Sequence, residues 1–139
     1  ISYMTIEHHG ASPEDLRPLI GNRIYGCDDC QLACPWNKFA GKATLPDFDA
    51  RPGMAGSSLL DLLAWDEAEF LRRTEGSPMR RIGHERWQRN IAVALGNALA
   101  SHLPAAERMQ MQAALQTLRP QATPLVQMHI AWALAQTPS

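Results

Sequence analysis

The stretch Asn90-Ile-Ala-Val-Ala-Leu-Gly96 returns further along the chain as His129-Ile-Ala-Trp-Ala-Leu-Ala135. Both copies alternate large apolar side chains with Ala or Gly, and the small residues let neighbouring helices approach closely. A repeat that spans two helices with a period of about 40 residues is typical of HEAT-type solenoids, in which successive helix pairs stack on one another. The repeat therefore predicts a mostly α fold with a HEAT-like arrangement in this half of the chain.

Local helix signals on both sides of the repeat support this prediction. Ser58 opens a short, mostly apolar helical run, and Asp66 caps a second one over 67–73 that has acids at its start and arginines at its end. Apolar residues at helical spacing predict a long helix over 84–100. Further helices are expected over 104–118, opened by a proline, and over 123–136, opened by a threonine and a proline. We therefore expect helices from residue 57 to the end.

The first part of the chain has weaker signals. Residues 1–9 alternate weakly between polar and apolar side chains and are expected to be extended. Ser12 followed by Pro13 suggests the N-cap of a short helix that ends at Gly21. Residues 41–56 are rich in Pro and Gly and are predicted to link two units.

All three cysteines lie in the stretch Gly26-Cys-Asp-Asp-Cys-Gln-Leu-Ala-Cys-Pro-Trp-Asn37. The spacing C-x2-C-x3-C-P is the last part of the run C-x2-C-x2-C-x3-C-P that binds [4Fe–4S] clusters in bacterial ferredoxins. The missing cysteine of that run would stand at position 24, which is Ile24. Three clustered thiols form a poor disulfide framework and a good metal-ligand group, and they favour a reducing, cytoplasmic compartment. Cys27, Cys30 and Cys34 are therefore candidate metal ligands.

Two other uses of this segment remain open from the residues alone. Zinc could be held by the three cysteines together with His8 or His9, which would staple a helical interaction module. The chain could also be an electron carrier with a helical docking module. In either case Trp36 is expected to pack the cysteine loop onto the core.

A second constellation is basic. Six arginines lie in the stretch from Arg72 to Arg89, where the acids are Glu75 and Glu85. Guanidinium groups bind phosphates in a bidentate manner, so a local patch of them can bind RNA although the whole chain carries a formal net charge of −1. The alternative is a solvated helix face in which some arginines pair with neighbouring acids. The candidate phosphate ligands are Arg80, Arg81, Arg86 and Arg89.

The composition gives no indication of a membrane protein. No stretch reaches the roughly 18 apolar residues that a bilayer-spanning helix needs, and no signal peptide opens the chain. We expect no membrane partner.

Residues 1–7 and 17–37 resemble the second cluster motif of the epoxyqueuosine reductase family. Residues 76–97 resemble that family's C-terminal HEAT-like segment. The resemblance implies a partial ferredoxin-like iron–sulfur segment at residues 1–50 and a HEAT-like helical domain at residues 51–139. Because the first residue is Ile1 rather than Met, we expect a C-terminal fragment of a longer reductase.

The family resemblance also implies a function. Members are cobalamin-dependent oxidoreductases that carry two [4Fe–4S] clusters and reduce epoxyqueuosine to queuosine in tRNA. By this resemblance Cys27 and Cys30 serve one cluster and Cys34 serves the other, and the missing ligand stands directly before Ile1. Cobalamin would be bound mainly outside this chain, which would hold no catalytic residue and be inactive alone. The implied partners are tRNA and an electron donor protein or reductant.

Overall fold

The computed structural model describes residues 1–41, 43–45, 54 and 56–138, and every regular element in these ranges is helical. A π-helical turn at Tyr3–Glu7 is followed by α1 (Arg17–Ile20), α2 (Asp29–Leu32) and a 3₁₀ segment at Pro35–Phe39. The remaining elements are α3 (Leu59–Leu63), α4 (Glu67–Arg73), a 3₁₀ segment at Pro78–Ile82, α5 (Gly83–Leu99), α6 (Ala105–Leu118), a 3₁₀ turn at Arg119–Gln121 and α7 (Pro124–Leu134). The mostly α prediction is confirmed. None of the helices in the described ranges could cross a membrane.

The predicted helix caps are present. Ser58 and Asp61 form a reciprocal capping box at the start of α3. The Asp66 side chain accepts a hydrogen bond from the backbone N–H of Glu69, and Thr123 caps α7. Most of the predicted linker lies outside the described residues, as does the boundary between residues 50 and 51, so the division into two domains stays a prediction.

The core forms around α5, whose residues 87–96 are buried throughout. Trp87 stacks on Trp65 with ring centroids 5.5 Å apart and meets Phe70 at the same distance. The indole N–H of Trp87 donates to the backbone O of Leu62 at 3.2 Å, so the buried ring leaves no polar atom without a partner. These contacts fix α3 and α4 on one side of α5.

The two copies of the sequence repeat lie on α5 and α7, and these two helices pack against each other. Ile91 and Leu95 of α5 are fully buried, as are Ile130 and Ala133 of α7. The repeat thus encodes the two helices of one interface. Whether successive helix pairs stack as in a HEAT solenoid stays a proposal.

The N-terminal segment differs from the prediction. Residues 3–7 form a π-helical turn instead of an extended segment, and the backbone N–H of His8 donates to the backbone O of Tyr3 at 2.9 Å. Ser12 is not an N-cap, because α1 starts only at Arg17 with Leu16 at the N-cap position. The backbone N–H of Ser12 instead donates to Nε2 of His129 at 3.1 Å. The predicted end of this helix at Gly21 is confirmed, and Gly21 has a φ of 65°. Tertiary contacts with α5 and α7 override the local signals here.

Candidate metal centre

The three cysteines are free thiols arranged around α2. Cys27 precedes this helix and is half-buried, Cys30 lies within it and is exposed, and Cys34 is half-buried directly before Pro35. In the described ranges no three His, Cys, Asp or Glu side chains are close enough to hold one metal ion. His8 instead donates through Nε2 to the backbone O of Ala11 at 3.0 Å. The Cys3His zinc site is therefore not assembled in this structure.

The donor set fits thiolate-ligated iron–sulfur clusters. Thiolates are the ligands that such clusters use, and the three thiols are unpaired and at least partly accessible. A [4Fe–4S] cluster takes four thiolates, so three that do not converge cannot complete one. This arrangement agrees with ligands that are shared between two clusters and completed by cysteines from elsewhere.

An exposed ion pair borders Cys27. Nη2 of Arg23 lies 2.8 Å from both carboxylate oxygens of Asp29. The pair lowers the pKa of Asp29 and raises that of Arg23, and a smaller effect on both groups comes from the neighbouring Cys27 thiol. Cys27 therefore lies beside one positive and one negative side chain, whose charges nearly cancel.

The outer side of the cysteine segment is apolar and exposed. Leu32, Trp36 and Phe39 are 79%, 73% and 68% exposed. The Trp36 ring lies against Phe39, with centroids 5.5 Å apart, and the prediction that it packs the loop onto the core is wrong. All residues of the 3₁₀ segment at Pro35–Phe39 are exposed, so Trp36 has no core to pack against there.

Polar side chains of α5 form an inner support for the chain that precedes the cysteine segment. The side-chain amide of Asn90 donates to the backbone O of Thr5 and to that of Ile24, both at 2.8 Å. Asn97, two turns further along, donates in the same manner to the backbone O of Arg17 at 2.9 Å and of Gly21 at 2.8 Å. Sequence reasoning missed both asparagines. The available signal was an amide on the otherwise apolar face of a buried helix, where it must find partners.

Arg86 and Arg89, two of the four candidate phosphate ligands, belong to this inner support. Arg89 is fully buried and donates to the backbone O atoms of Met4, His8 and Gly10 at 2.6–2.9 Å. Burial lowers its pKa to about 10, so it remains charged at neutral pH. Arg86 donates to the backbone O of Ile6 at 2.8 Å and to two carbonyls of its own helix start. Both guanidinium groups are occupied by main-chain oxygens, and their assignment to a phosphate-binding patch does not fit this structure.

The other arginines of the basic stretch are on the surface. Arg72 and Arg73 both pair with Glu69, an acid three residues before the start of the basic stretch. Their hydrogen bonds lower the pKa of Glu69 to about 2. Arg81 pairs with Glu7 at 2.6 Å, whereas exposed Arg80 has no side-chain partner among the described residues. The candidate patch therefore shrinks to Arg80 and Arg81.

Comparison with known proteins gives one consistent answer. Residues 1–37 match the family of 4Fe-4S double cluster binding domains. Over 136 residues, or 98% of this chain, the sequence is 65% identical to an epoxyqueuosine reductase of Alicycliphilus denitrificans. Over nearly its whole length the chain is therefore similar to part of an epoxyqueuosine reductase. It spans 38% of the length of that relative, and about a third of the other curated reductases that it matches.

Solved reductases share the fold described above. The epoxyqueuosine reductase of Bacillus subtilis superposes with a TM-score of 0.79 at 30% identity, over 95% of this chain and 33% of that one. An epoxyqueuosine reductase solved with an epoxyqueuosine-modified tRNA stem loop superposes with a TM-score of 0.64 at 24% identity, over 96% of this chain and 42% of that one. The resemblance read from the cysteine segment is thereby confirmed, and the relatives are oxidoreductases by name.

Proposed function

We propose that this chain is the part of an epoxyqueuosine reductase that supplies iron–sulfur ligands and a helical surface for tRNA. The observation that carries the proposal is the C-x2-C-x3-C-P segment, which lies within the match to double-cluster domains. The high identity to a named reductase over nearly the whole chain supports the same conclusion.

Cys27 and Cys30 would ligate one [4Fe–4S] cluster and Cys34 a second one. Such clusters supply single electrons at a potential that ligand surroundings and burial adjust. The part of this chain is to hold the thiolates in place, and α5 does so by binding the main chain on both sides of α1. The ferredoxin-like description of residues 1–50 is part of this proposal.

Three features of the family remain proposals for this chain. Cobalamin, which would carry out the reduction of the epoxide, would be bound mainly by residues outside this chain. The HEAT-like domain of residues 51–139 would offer its exposed arginines to the tRNA backbone, for which Arg80 and Arg81 are available. An electron donor protein or reductant would complete the reaction.

A chimeric enzyme tests this function. The matching 136 residues of the Alicycliphilus relative would be replaced by this chain, and the product purified without oxygen. We expect about eight iron atoms per chain, two clusters of four, together with reduction of epoxyqueuosine in tRNA.

Serine at Cys27, Cys30 or Cys34 should remove one cluster and the activity. Asp28→Asn, an exposed neighbour of the first cysteine, is the matched control. A chimera that holds clusters without reducing the epoxide would support the electron-carrier alternative. Zinc bound in place of iron would support the alternative of a zinc-stapled helical interaction module.

A further inference from the structure

Asn90 connects α5 to the chain just before the cysteine segment through a fully satisfied buried amide. Its Nδ2 donates to the backbone O of Thr5 and of Ile24, and its Oδ1 accepts from Nε and Nη2 of Arg89 at 3.1 and 2.9 Å. An amide has two donors and two acceptor sites, and here all four are used. The orientation of the side chain is thereby fixed, because the flipped amide would face oxygen with oxygen and nitrogen with nitrogen.

Thr5 continues this connection toward the first cysteine. Its Oγ1 accepts a hydrogen bond from the backbone N–H of Gly26 at 2.9 Å, and Gly26 directly precedes Cys27. Gly26 has a φ of 69°, a conformation that L side chains rarely adopt, so the chain turns sharply into the cysteine segment at this point. Thr5 is 1% exposed and Asn90 3% exposed, so water does not compete for these bonds.

We propose that Thr5 and Asn90 are positioning residues for the cluster that Cys27 ligates. The proposal rests on the proposed function in that Cys27 is taken as a cluster ligand. Asn90 holds the backbone O of Ile24, and Thr5 holds the backbone N–H of the residue directly before Cys27. Together they fix the entry of the chain into the ligand segment without touching the metal.

The physical consequence concerns the cluster rather than the fold alone. A ligand that is held in advance loses little freedom when metal binds, whereas a loose one must be ordered at the expense of affinity. Loss of either contact should therefore weaken cluster retention and disturb cluster geometry. Loss of contacts that hold parts of the chain further from the cysteines should leave cluster retention and geometry unchanged.

The chain offers a matched control for each residue. Thr5→Val removes the acceptor at nearly constant shape, and Thr5→Ser retains it. Asn90→Ala removes a buried two-carbonyl clamp, and Asn97→Ala removes a similar clamp that holds Arg17 and Gly21, which lie further from Cys27 along the chain. All four variants would be made in the chimeric reductase with its clusters reconstituted.

The readouts are the rate at which a chelator removes iron and the electron paramagnetic resonance spectrum of the reduced clusters. We expect Thr5→Val and Asn90→Ala to release iron about tenfold faster and to alter the signal of one cluster. Thr5→Ser and Asn97→Ala should stay within about twofold of the unmodified chimera with an unchanged spectrum. Thermal unfolding, measured in parallel, separates these effects from general loss of stability.

Equal iron retention and spectra in folded Thr5→Val and Asn90→Ala would overturn the proposal. If Asn90→Ala does not fold, the proposal is tested by whether Thr5→Val loses iron faster than Thr5→Ser. A chimera with stable clusters but no epoxide reduction would contradict the proposed function and leave the positioning role intact. A chimera that takes up no cluster would overturn both.

Discussion

Gly96 of α5 lies directly beneath the indole ring of Trp132 of α7. A Cβ placed on Gly96 would collide with Cζ3 of Trp132 and stand 2.9 Å from its Cε3, closer than real Cβ atoms come to their neighbours. It would also lie 3.0 Å from Cα of Ala133, which is an unusually tight contact. The glycine is therefore required by the close approach of the two repeat helices. The same indole also receives the Arg17 guanidinium, 5.3 Å from the ring centroid, so the ring cannot move away freely.

We expect Gly96→Ala to destabilise the chain by about 1–3 kcal/mol, as is usual for overpacking in a well-filled core. Alanine is the better helix former by about 1 kcal/mol, so destabilisation would show that the collision outweighs propensity. The measurement is urea unfolding. Gly41→Ala, at a site with no atom within 4 Å of the added Cβ, is the control. A stabilised Gly96→Ala variant would show that α5 and α7 can separate at little cost.

Removal of the Arg89 side chain should be among the most damaging changes in the chain. Arg89→Met removes the donors that bind the partly buried carbonyls of Met4, His8 and Gly10, and a buried acceptor left unsatisfied costs about 1–3 kcal/mol. We expect a loss of about 3 kcal/mol or more in the free energy of unfolding. Arg80→Met, an exposed arginine of the same stretch, should change it by less than about 0.5 kcal/mol. Similar values for the two variants would contradict the structural role of Arg89.

His129 makes the stability of the chain depend on pH. Its Nδ1–H donates to the backbone O of Leu125 while Nε2 accepts from Ser12, which requires the neutral ring. Burial lowers its pKa to about 4, with smaller contributions from the nearby positive charges of Arg17 and Arg89. Since the folded pKa lies below the unfolded value of about 6.5, the unfolded state takes up the proton first, and stability falls as the pH drops from 6.5 to 4.

The expected loss through His129 is on the order of 3 kcal/mol by pH 4. His129→Gln, whose amide oxygen can replace the Nε2 acceptor, should remove this part of the pH dependence although it is less stable at pH 7. Unfolding free energies of both proteins at several pH values between 7 and 4 test the prediction. Parallel curves would mean that other groups cause the acid sensitivity.

The helices after residue 57 were predictable because their signals are local. Ser58, Asp66 and Thr123 cap the turns that immediately follow them, and the apolar spacing of α5 lies within one element. The N-terminal segment before α2 was not predictable in this way. Ser12 has the sequence context of an N-cap, but its amide is bound by a histidine 117 residues away.

The arginines show the same limit at the candidate site. Their density suggested phosphate binding, and density does not distinguish a guanidinium in water from one surrounded by carbonyls. The partners of Arg89 are main-chain oxygens 79–85 residues earlier in the sequence, which leave no mark in the side-chain pattern. Thr5 and Asn90 were missed for the same reason. The cysteines were found because their spacing is itself the signal.

The chain by itself should hold no intact [4Fe–4S] cluster. It has three cysteines, and a cluster needs four thiolates. Anaerobic reconstitution of the monomer should give little of the broad visible absorption of such clusters, and helical circular dichroism should remain after addition of a chelator. A monomer that retains about four iron and four sulfide would contradict the assignment of the cysteines to two clusters.

Arg80 and Arg81 are expected to contact the tRNA backbone in the chimeric reductase. Arg80 is exposed without a side-chain partner in the described part of the chain, and Arg81 is more than half exposed and paired only with Glu7, a surface ion pair of small net value. A phosphate could therefore replace the Glu7 carboxylate at little cost.

The double variant Arg80→Gln, Arg81→Gln should bind tRNAs of every sequence more weakly. Each lost phosphate contact should also reduce the slope of log affinity against log salt by about 0.7–0.9. Arg72→Gln serves as the control, because Glu69 engages that arginine through two hydrogen bonds, whereas Arg81 makes a single one to Glu7. Glu7→Gln should bind at least as tightly as the unmodified chimera, since it frees Arg81. A double variant with unchanged affinity and salt slope would show that the two arginines form an ordinary solvated face.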